Sequence, residues 1–459
     1  MLYTPVLKHH ISLLYLLLQI FCYAWAAPPV IQYELNNGLK VVLQEDHRSS
    51  VAEVQMWYKV GGLDEPKGMT GASHALEHMM FNGTKQTAPG EFDRILSNIG
   101  AIKNAFTSND VTVYHESVTS NHLPVILALE ADRMQNLTLS EEIFKTEHQA
   151  IMEEWRSRYV DSPDGYISGH FNTVAFPLSP YRQPVLGWPD DIKNLNTKKL
   201  KMWYKKWYHP NNATLVIVGD IKPDKIKSQI DKYFSSIPSA PLPERASLKD
   251  LDAPGQRSIT VQHPQASIPD FIMGFNVPVI QSNNPDNWEP YALRMLVGIL
   301  DGGNSARFNT VIVRQKELAT TLSTYYAPFQ RGDNLLEFIG SPNSAKNISS
   351  NQVIKGIWSL INELKHNAPK ASELARARAQ IKANQVYNQD DIAQQALMLG
   401  TLVTLGFPAD WQDSYYQKFD AVTPEQIQQV ARKYLIPSRL STGYLIPAVI
   451  PKIAGNNNE

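Results

Sequence analysis

Apolar and polar positions alternate in short runs from Ile31 onward, then give way to a helical period. Ile31 to Leu35, Leu39 to Gln44 and Val51 to Val60 read as three strands, the first two joined by an Asn37-Gly38 turn. This opening predicts a small antiparallel sheet. Helices are expected around Ala72 to Phe81 and Gly90 to Ile99, then a long strand from Lys103 to Val118, then helices over Leu123 to Met134 and Ser140 to Arg158. Strands followed by runs of helix give an α+β class.

Periodicity fades between Ser235 and Gly255, which holds Pro238, Pro241, Pro243 and Pro254 and reads as a linker. The segments before and after it resemble each other in one element. A helix opened by Thr197 and ending at Tyr208 is followed by the strand Thr214 to Val218. A helix opened by Thr423 and ending at Tyr434 is followed by Ser441 to Ile446. The offsets agree, 423 − 197 = 226 and 434 − 208 = 226. A period of about half the chain suggests duplication. The expected organisation is a leader over 1–26, a first half over 27–238, a linker over 239–255 and a related second half over 256–459.

At 459 residues the chain is too long for one core, and its net charge of -1, from 43 basic and 44 acidic residues, leaves no excess to neutralise phosphates. Nucleic acid is excluded as an expected partner. The apolar run Ile11 to Ala26 follows Lys8 and ends in Ala24-Trp25-Ala26, a cleavable signal pattern with the cut after Ala26. The expected location is therefore periplasmic or secreted, with no membrane span in the mature chain. The single cysteine, Cys22, falls in the leader, so the fold needs no disulfide. A sequon at Asn82-Gly83-Thr84 adjoins the motif described next, where a glycan would crowd it, which favours a bacterial periplasm.

His74-Ala75-Leu76-Glu77-His78 carries the chemistry. Four residues apart on a helix, His74 and His78 can offer two imidazoles to one ion, and Glu77 lies beside them. Zinc suits such donors, and a neighbouring carboxylate can take a proton from water. A third ligand is needed, which the acidic helix from Glu141-Glu142 to Glu153-Glu154 can supply. His115, His148 and His170 lack a partner at ligand spacing and read as ordinary structural histidines.

The run His74-Ala75-Leu76-Glu77-His78-Met79-Met80-Phe81-Asn82-Gly83-Thr84 resembles the pitrilysin/insulinase family of inverzincin peptidases. So do Gly90-Glu91-Phe92, the stretch Asn104 to Tyr114, Glu147 to Glu154, and Tyr208 to Asp220. The resemblance implies two homologous α/β-sandwich-like halves, antiparallel-rich sheets with helices, enclosing a chamber. It implies a single zinc per chain on His74 and His78, with Glu77 as general base. The family's third ligand follows the second His by about seventy-six residues, and 154 − 78 = 76 selects Glu154, with Glu153 next to it the runner-up. Glu147 resembles the family's supporting glutamate.

The resemblance further implies that substrate adds as a strand along Asn104, Ala105 and Phe106, giving broad specificity for peptides or unfolded segments. An Arg and a Tyr from the second half are expected to reach that substrate. Arg314 is the candidate arginine, but Ala319-Thr320-Thr321 stands where the tyrosine belongs, with Tyr325 and Tyr326 nearby. Either one of these serves, or a second chain, in a homodimer or a heterodimer with a relative, supplies the Arg and Tyr. The expectation is an exported zinc metalloendopeptidase. A non-catalytic assembly subunit of the same fold, and a processing peptidase for leader sequences, are the other readings.

Overall fold

The computed structural model describes residues 29–448, so the leader, Cys22 and the cleavage point after Ala26 lie outside the described residues. Two sheets organise the chain. The first contains β1 (Ile31–Glu34), β2 (Lys40–Glu45), β3 (Val51–Tyr58), β4 (Ile102–Thr107), β5 (Thr112–Thr119) and β6 (Ala213–Gly219), in the order β1-β2-β6-β3-β5-β4. Between strands run α1 (Ala72–Met79), α2 (Glu91–Asn98), α3 (Leu123–Asn136), α4 (Glu141–Tyr159), α5 (Pro163–Ala175), the short α6 (Pro189–Lys193) and α7 (Thr197–Trp207). The helix α8 (Pro223–Phe234) follows β6.

The second sheet contains β7 (Arg257–His263), β8 (Asp270–Val277), β9 (Ala319–Tyr326), β10 (Asn334–Pro342) and β11 (Leu440–Pro447), in the order β7-β11-β8-β10-β9. Its helices are α9 (Glu289–Asp301), α10 (Ser350–His366), α11 (Ala371–Asp390), α12 (Ile392–Leu405), α13 (Trp411–Lys418) and α14 (Pro424–Tyr434), with a π-helical stretch at Phe308–Gln315. Apart from the extra edge strand β1, the two orders are one order. The chain is a mixed helix-and-sheet protein of two like halves. No helix or strand forms between Phe234 and Arg257.

Two local expectations are corrected. The opening strands do not form a sheet of their own, because β6 inserts between β2 and β3, parallel to the first and antiparallel to the second. All seven residues of β6 are buried, which suits a central strand covered on both faces and not an edge. The expected long strand from Lys103 to Val118 is a hairpin. Its turn is closed by Ser108 N–H on the Val111 carbonyl (2.8 Å), while the Ser108 hydroxyl accepts from the N–H groups of Asp110 and Val111. At the β1–β2 turn Gly38 takes a φ of +86°, as an Asn-Gly hairpin requires.

Each half lends a helix to the other's sheet. From the first half, α5 lays Ile167 and Phe171 on Val261, Ile272, Leu335 and Leu445 of the second sheet. From the second half, α12 lays Ala396, Leu399 and Val403 on Val42, Trp57, Val113, Val216 and Val218 of the first. Gly400 lets Trp57 reach the α12 backbone, since a Cβ there would lie 2.2 Å from the indole. The other face of each sheet packs on its own helices in a separate apolar core.

Candidate metal centre

α1 begins where a tight turn delivers it. Gly71 precedes it with φ of +87°, and a Cβ at that position would meet the Leu186 carbonyl at 2.3 Å. Two acidic side chains hold this end. Glu65, 4 % exposed, accepts the N–H groups of Gly71 and Ser73, each at 2.6 Å. Asp191 accepts from Gly68 and Thr70 N–H and from the Thr70 hydroxyl (2.7 Å). Burial pushes the Glu65 carboxyl up to about 8, against those two N–H groups, which favour its charged form. Ala72, Ala75, Leu76 and Met79 turn into the core. Glu77 and His78 are left half-buried on the remaining face, with His74 6 % exposed.

α4 crosses α1 and brings Glu154 to the histidines. Glu154 Oε2 lies 3.3 Å from His74 Nε2 and 3.4 Å from His78 Nε2, and the three donor atoms all fall within 4.8 Å of one another. Hydrogen bonding with His74 holds the Glu154 carboxyl down at about 2, so it stands ready as a charged acceptor. Its second oxygen pairs with Arg158 at 2.9 Å. Glu153 points elsewhere and pairs with Arg156. Two turns earlier on α4, Glu147 Oε2 lies 3.2 Å from His78 Nδ1, which leaves His78 Nε2 facing the triad. Asn82 ties this pair together, donating to the His78 carbonyl (2.8 Å) and to Glu147 (3.2 Å).

Glu77 is held from the sheet. The Thr107 hydroxyl at the end of β4 donates to Glu77 Oε2 at 2.5 Å. Neither Thr107 nor Glu65 stood out in the sequence, although Thr107 lies inside the Asn104 to Tyr114 run that carries the family resemblance. Asn104, Ala105 and Phe106 lie on β4, one of the two edge strands of the first sheet, with the ring of Phe106 edge-on to Trp57 at 6.2 Å.

The second half presents its candidates differently. Arg314 is on the π-helical stretch, its guanidinium donating to the Asn304 carbonyl, and among the described residues it makes no contact with the triad. Tyr326 is buried and its hydroxyl donates to the Pro278 carbonyl at 2.7 Å. Tyr325 is 57 % exposed. His148 and His170 donate to the carbonyls of Ile192 and Tyr166, and His115 sits 3.3 Å from Glu53.

A family model described as insulinase (peptidase family M16) matches residues 40–187, and one described as the peptidase M16 inactive domain matches residues 194–381. The chain is 29% identical over 418 residues to the zinc protease PqqE of Helicobacter pylori, covering 90% of this chain and 92% of that one. It is 25% identical over 419 residues to the mitochondrial-processing peptidase subunit beta of Lentinula edodes, covering 87% and 86% of the two chains. Among solved structures, a protease from Helicobacter pylori superposes with a TM-score of 0.85 at 28% identity, covering 92% of this chain and 100% of that one.

Proposed function

Because the chain belongs to the M16 (insulinase) peptidase family, we propose that it is an exported zinc endopeptidase that cleaves peptides or unfolded segments, with Glu77 as general base. The observation that carries this reading is the meeting of His74, His78 and Glu154 in one donor set. The set fits zinc. Two imidazoles and a carboxylate are its usual catalytic ligands, and bonds of about 2.0–2.1 Å in tetrahedral array separate ligand atoms by about 3.3 Å. The two His–Glu separations of 3.3 and 3.4 Å match that spacing. Zinc dependence is also what relatives named as zinc proteases imply.

When bound, zinc supplies Lewis-acid chemistry, polarising a carbonyl and making water more acidic. The chain's own groups do the rest. His74, His78 and Glu154 would hold the single ion, and Glu147 orients His78. Glu77 would take the proton of the attacking water and return it to the departing amine. Thr107 fixes the carboxylate that does this. A peptide added to the edge of β4 along Asn104 to Phe106 would place its backbone beside Glu77, using main-chain hydrogen bonds and so few side-chain demands.

Residues 27–238 would form the metal-binding half, 239–255 the linker and 256–459 a half that contributes contacts without chemistry. Arg314 and Tyr325 are the second half's candidates for reaching substrate, Tyr326 being committed to the core. Ala319-Thr320-Thr321 leaves the expected tyrosine position without its phenol, which favours a second, related chain as the donor. The leader pattern over 1–26 supports export to a periplasm or beyond. Among the described residues no helix is long and apolar enough to cross a membrane.

The test is Glu77→Gln. The amide keeps the shape and loses the base, so metal content is expected to be unchanged while peptide turnover falls by about a hundredfold to ten-thousandfold. Turnover near the wild-type rate removes Glu77 from the role.

A further inference from the structure

Arg331 belongs to the second half, on the loop between β9 and β10, yet the partners of its side chain lie in the first. Its guanidinium spans the Asp64 carboxylate with contacts of 2.8 and 3.0 Å and reaches the Asp110 carbonyl at 3.5 Å, while its backbone N–H donates to the Asp110 carboxylate at 3.3 Å. Arg245, from the segment joining the halves, takes the same Asp64 at 2.6 Å. The Tyr181 hydroxyl donates to Asp110 at 3.0 Å and accepts from Gly332 N–H at 3.3 Å. The side chain of Asp64 is 1% exposed and that of Arg331 7%. Removing Arg331 would leave the buried Asp64 with Arg245 as its single guanidinium partner.

The two carboxylates sit on the two segments that support Glu77. Asp64 directly precedes Glu65, which holds the head of α1 and with it His74, Glu77 and His78. Asp110 lies in the β4–β5 turn, just beyond Thr107, whose hydroxyl holds the Glu77 carboxylate. The segments also touch each other. Gly62 and Leu63 N–H donate to the Ser108 and Asn109 carbonyls at 3.1 and 3.0 Å, and a Cβ on Gly61 would lie 2.3 Å from the Ser108 oxygen.

We propose that Arg331 is a positioning residue for peptide hydrolysis: gripping Asp64 and Asp110, it lets the second half set α1 against the β4–β5 hairpin and so aim Glu77. The proposal rests on the peptidase reading above. It gives the second half a share in the reaction that requires no contact with substrate.

The test uses the full chain, a quenched fluorescent peptide chosen from a mixed-sequence library, and zinc content and thermal unfolding measured on the same samples. Arg331→Met is expected to lower kcat roughly tenfold to a hundredfold, the scale of a catalytic group displaced by about an ångström, with KM and zinc content unchanged well below the unfolding midpoint. Arg331→Lys, which keeps the charge without the fork, should fall between. In the metal-free protein, Arg331→Met should speed amide exchange at Leu63 and Ser108. Tyr181→Phe keeps the ion pair and loses only the hydroxyl joining Asp110 to Gly332. It should lower kcat less, and it decides the matter if Arg331→Met does not fold. A wild-type kcat in the folded variant, with only the melting temperature lowered, overturns the proposal. A wild-type chain inactive both alone and with a related chain that supplies the Arg and Tyr would instead refute the peptidase reading and take this one with it.

Discussion

The two halves share a strand order and differ in what the helices behind it hold. In the first, α1 and α4 meet through His74, His78 and Glu154. In the second, the matching pair is α9 and α11. Aligning the helix starts, 371 − 141 = 230, puts Ala377 and Asn384 where the first half has Glu147 and Glu154. There Gly298 packs so closely that an added Cβ would lie 3.0 Å from the Ala377 Cβ. Ten of the thirteen residues of α9 are buried, so that helix has become core. One frame thus carries a polar donor set in one copy and tight apolar packing in the other. The frame depends on which positions are apolar, and the chemistry depends on a few side chains that can be exchanged without disturbing it.

The sharpest way to break that contrast is to remove one member from each copy. His78→Ala should strip the metal and lower turnover on the order of a thousandfold or more, the scale of losing an essential catalytic member. Asn384→Ala should leave both metal content and turnover as they were. Equal loss in the two variants, by metal analysis and peptide assay, would mean that the second half shares the site.

A smaller effect separates holding the metal from aiming the base. Thr107→Val removes the hydroxyl from Glu77 at nearly constant shape. Turnover should drop about tenfold to a hundredfold, the equivalent of the about 1.5–3 kcal/mol typical of a hydrogen bond to a charged group. Metal content should hold. If turnover is unchanged, the sheet does not position Glu77.

The smallest effect tests the seam between the halves. Gly400→Val forces a side chain into Trp57 and should cost about 1–3 kcal/mol in denaturant unfolding, as overpacking usually does. Because the clash lies on the sheet face away from α1, metal content should be preserved. Loss of metal at native denaturant concentrations would show that the seam and the site are one unit.

Much of this was legible along the chain because it is local or repeats at a fixed spacing. His74 and His78 are one helical turn apart, and Glu154 came from a spacing that the family resemblance carries. The class and the doubled architecture followed from apolar periodicity and the 226-residue offset between like segments. What was not legible depends on contacts between distant residues. No local pattern says that β6 enters between β2 and β3. The hairpin at 108–111 is turned by Ser, Asn and Asp without Gly or Pro, so its strands read as one. Thr107, Glu65 and Asp191 act through hydrogen bonds that only the folded chain brings together. Arg331 is further still, more than two hundred residues from the carboxylates it grips (331 − 110 = 221).

The exchange of helices between the halves sets a clock on synthesis. The first sheet has all its strands once Gly219 has emerged, but the helix that covers its outer face ends at Leu405, 405 − 219 = 186 residues later. At about 5–20 residues per second this is about 10–40 seconds. Throughout that interval Val42, Trp57, Val113, Val216 and Val218 have no cover, and the nascent first half presents to its surroundings an apolar plate that another chain's plate could meet first. A holding chaperone, or a slow passage that keeps the early chain unfolded, is what such a connectivity asks of the cell. Supplied in trans as a peptide during refolding of a chain truncated after Ala240, the segment 392–405 should reduce aggregation of that fragment.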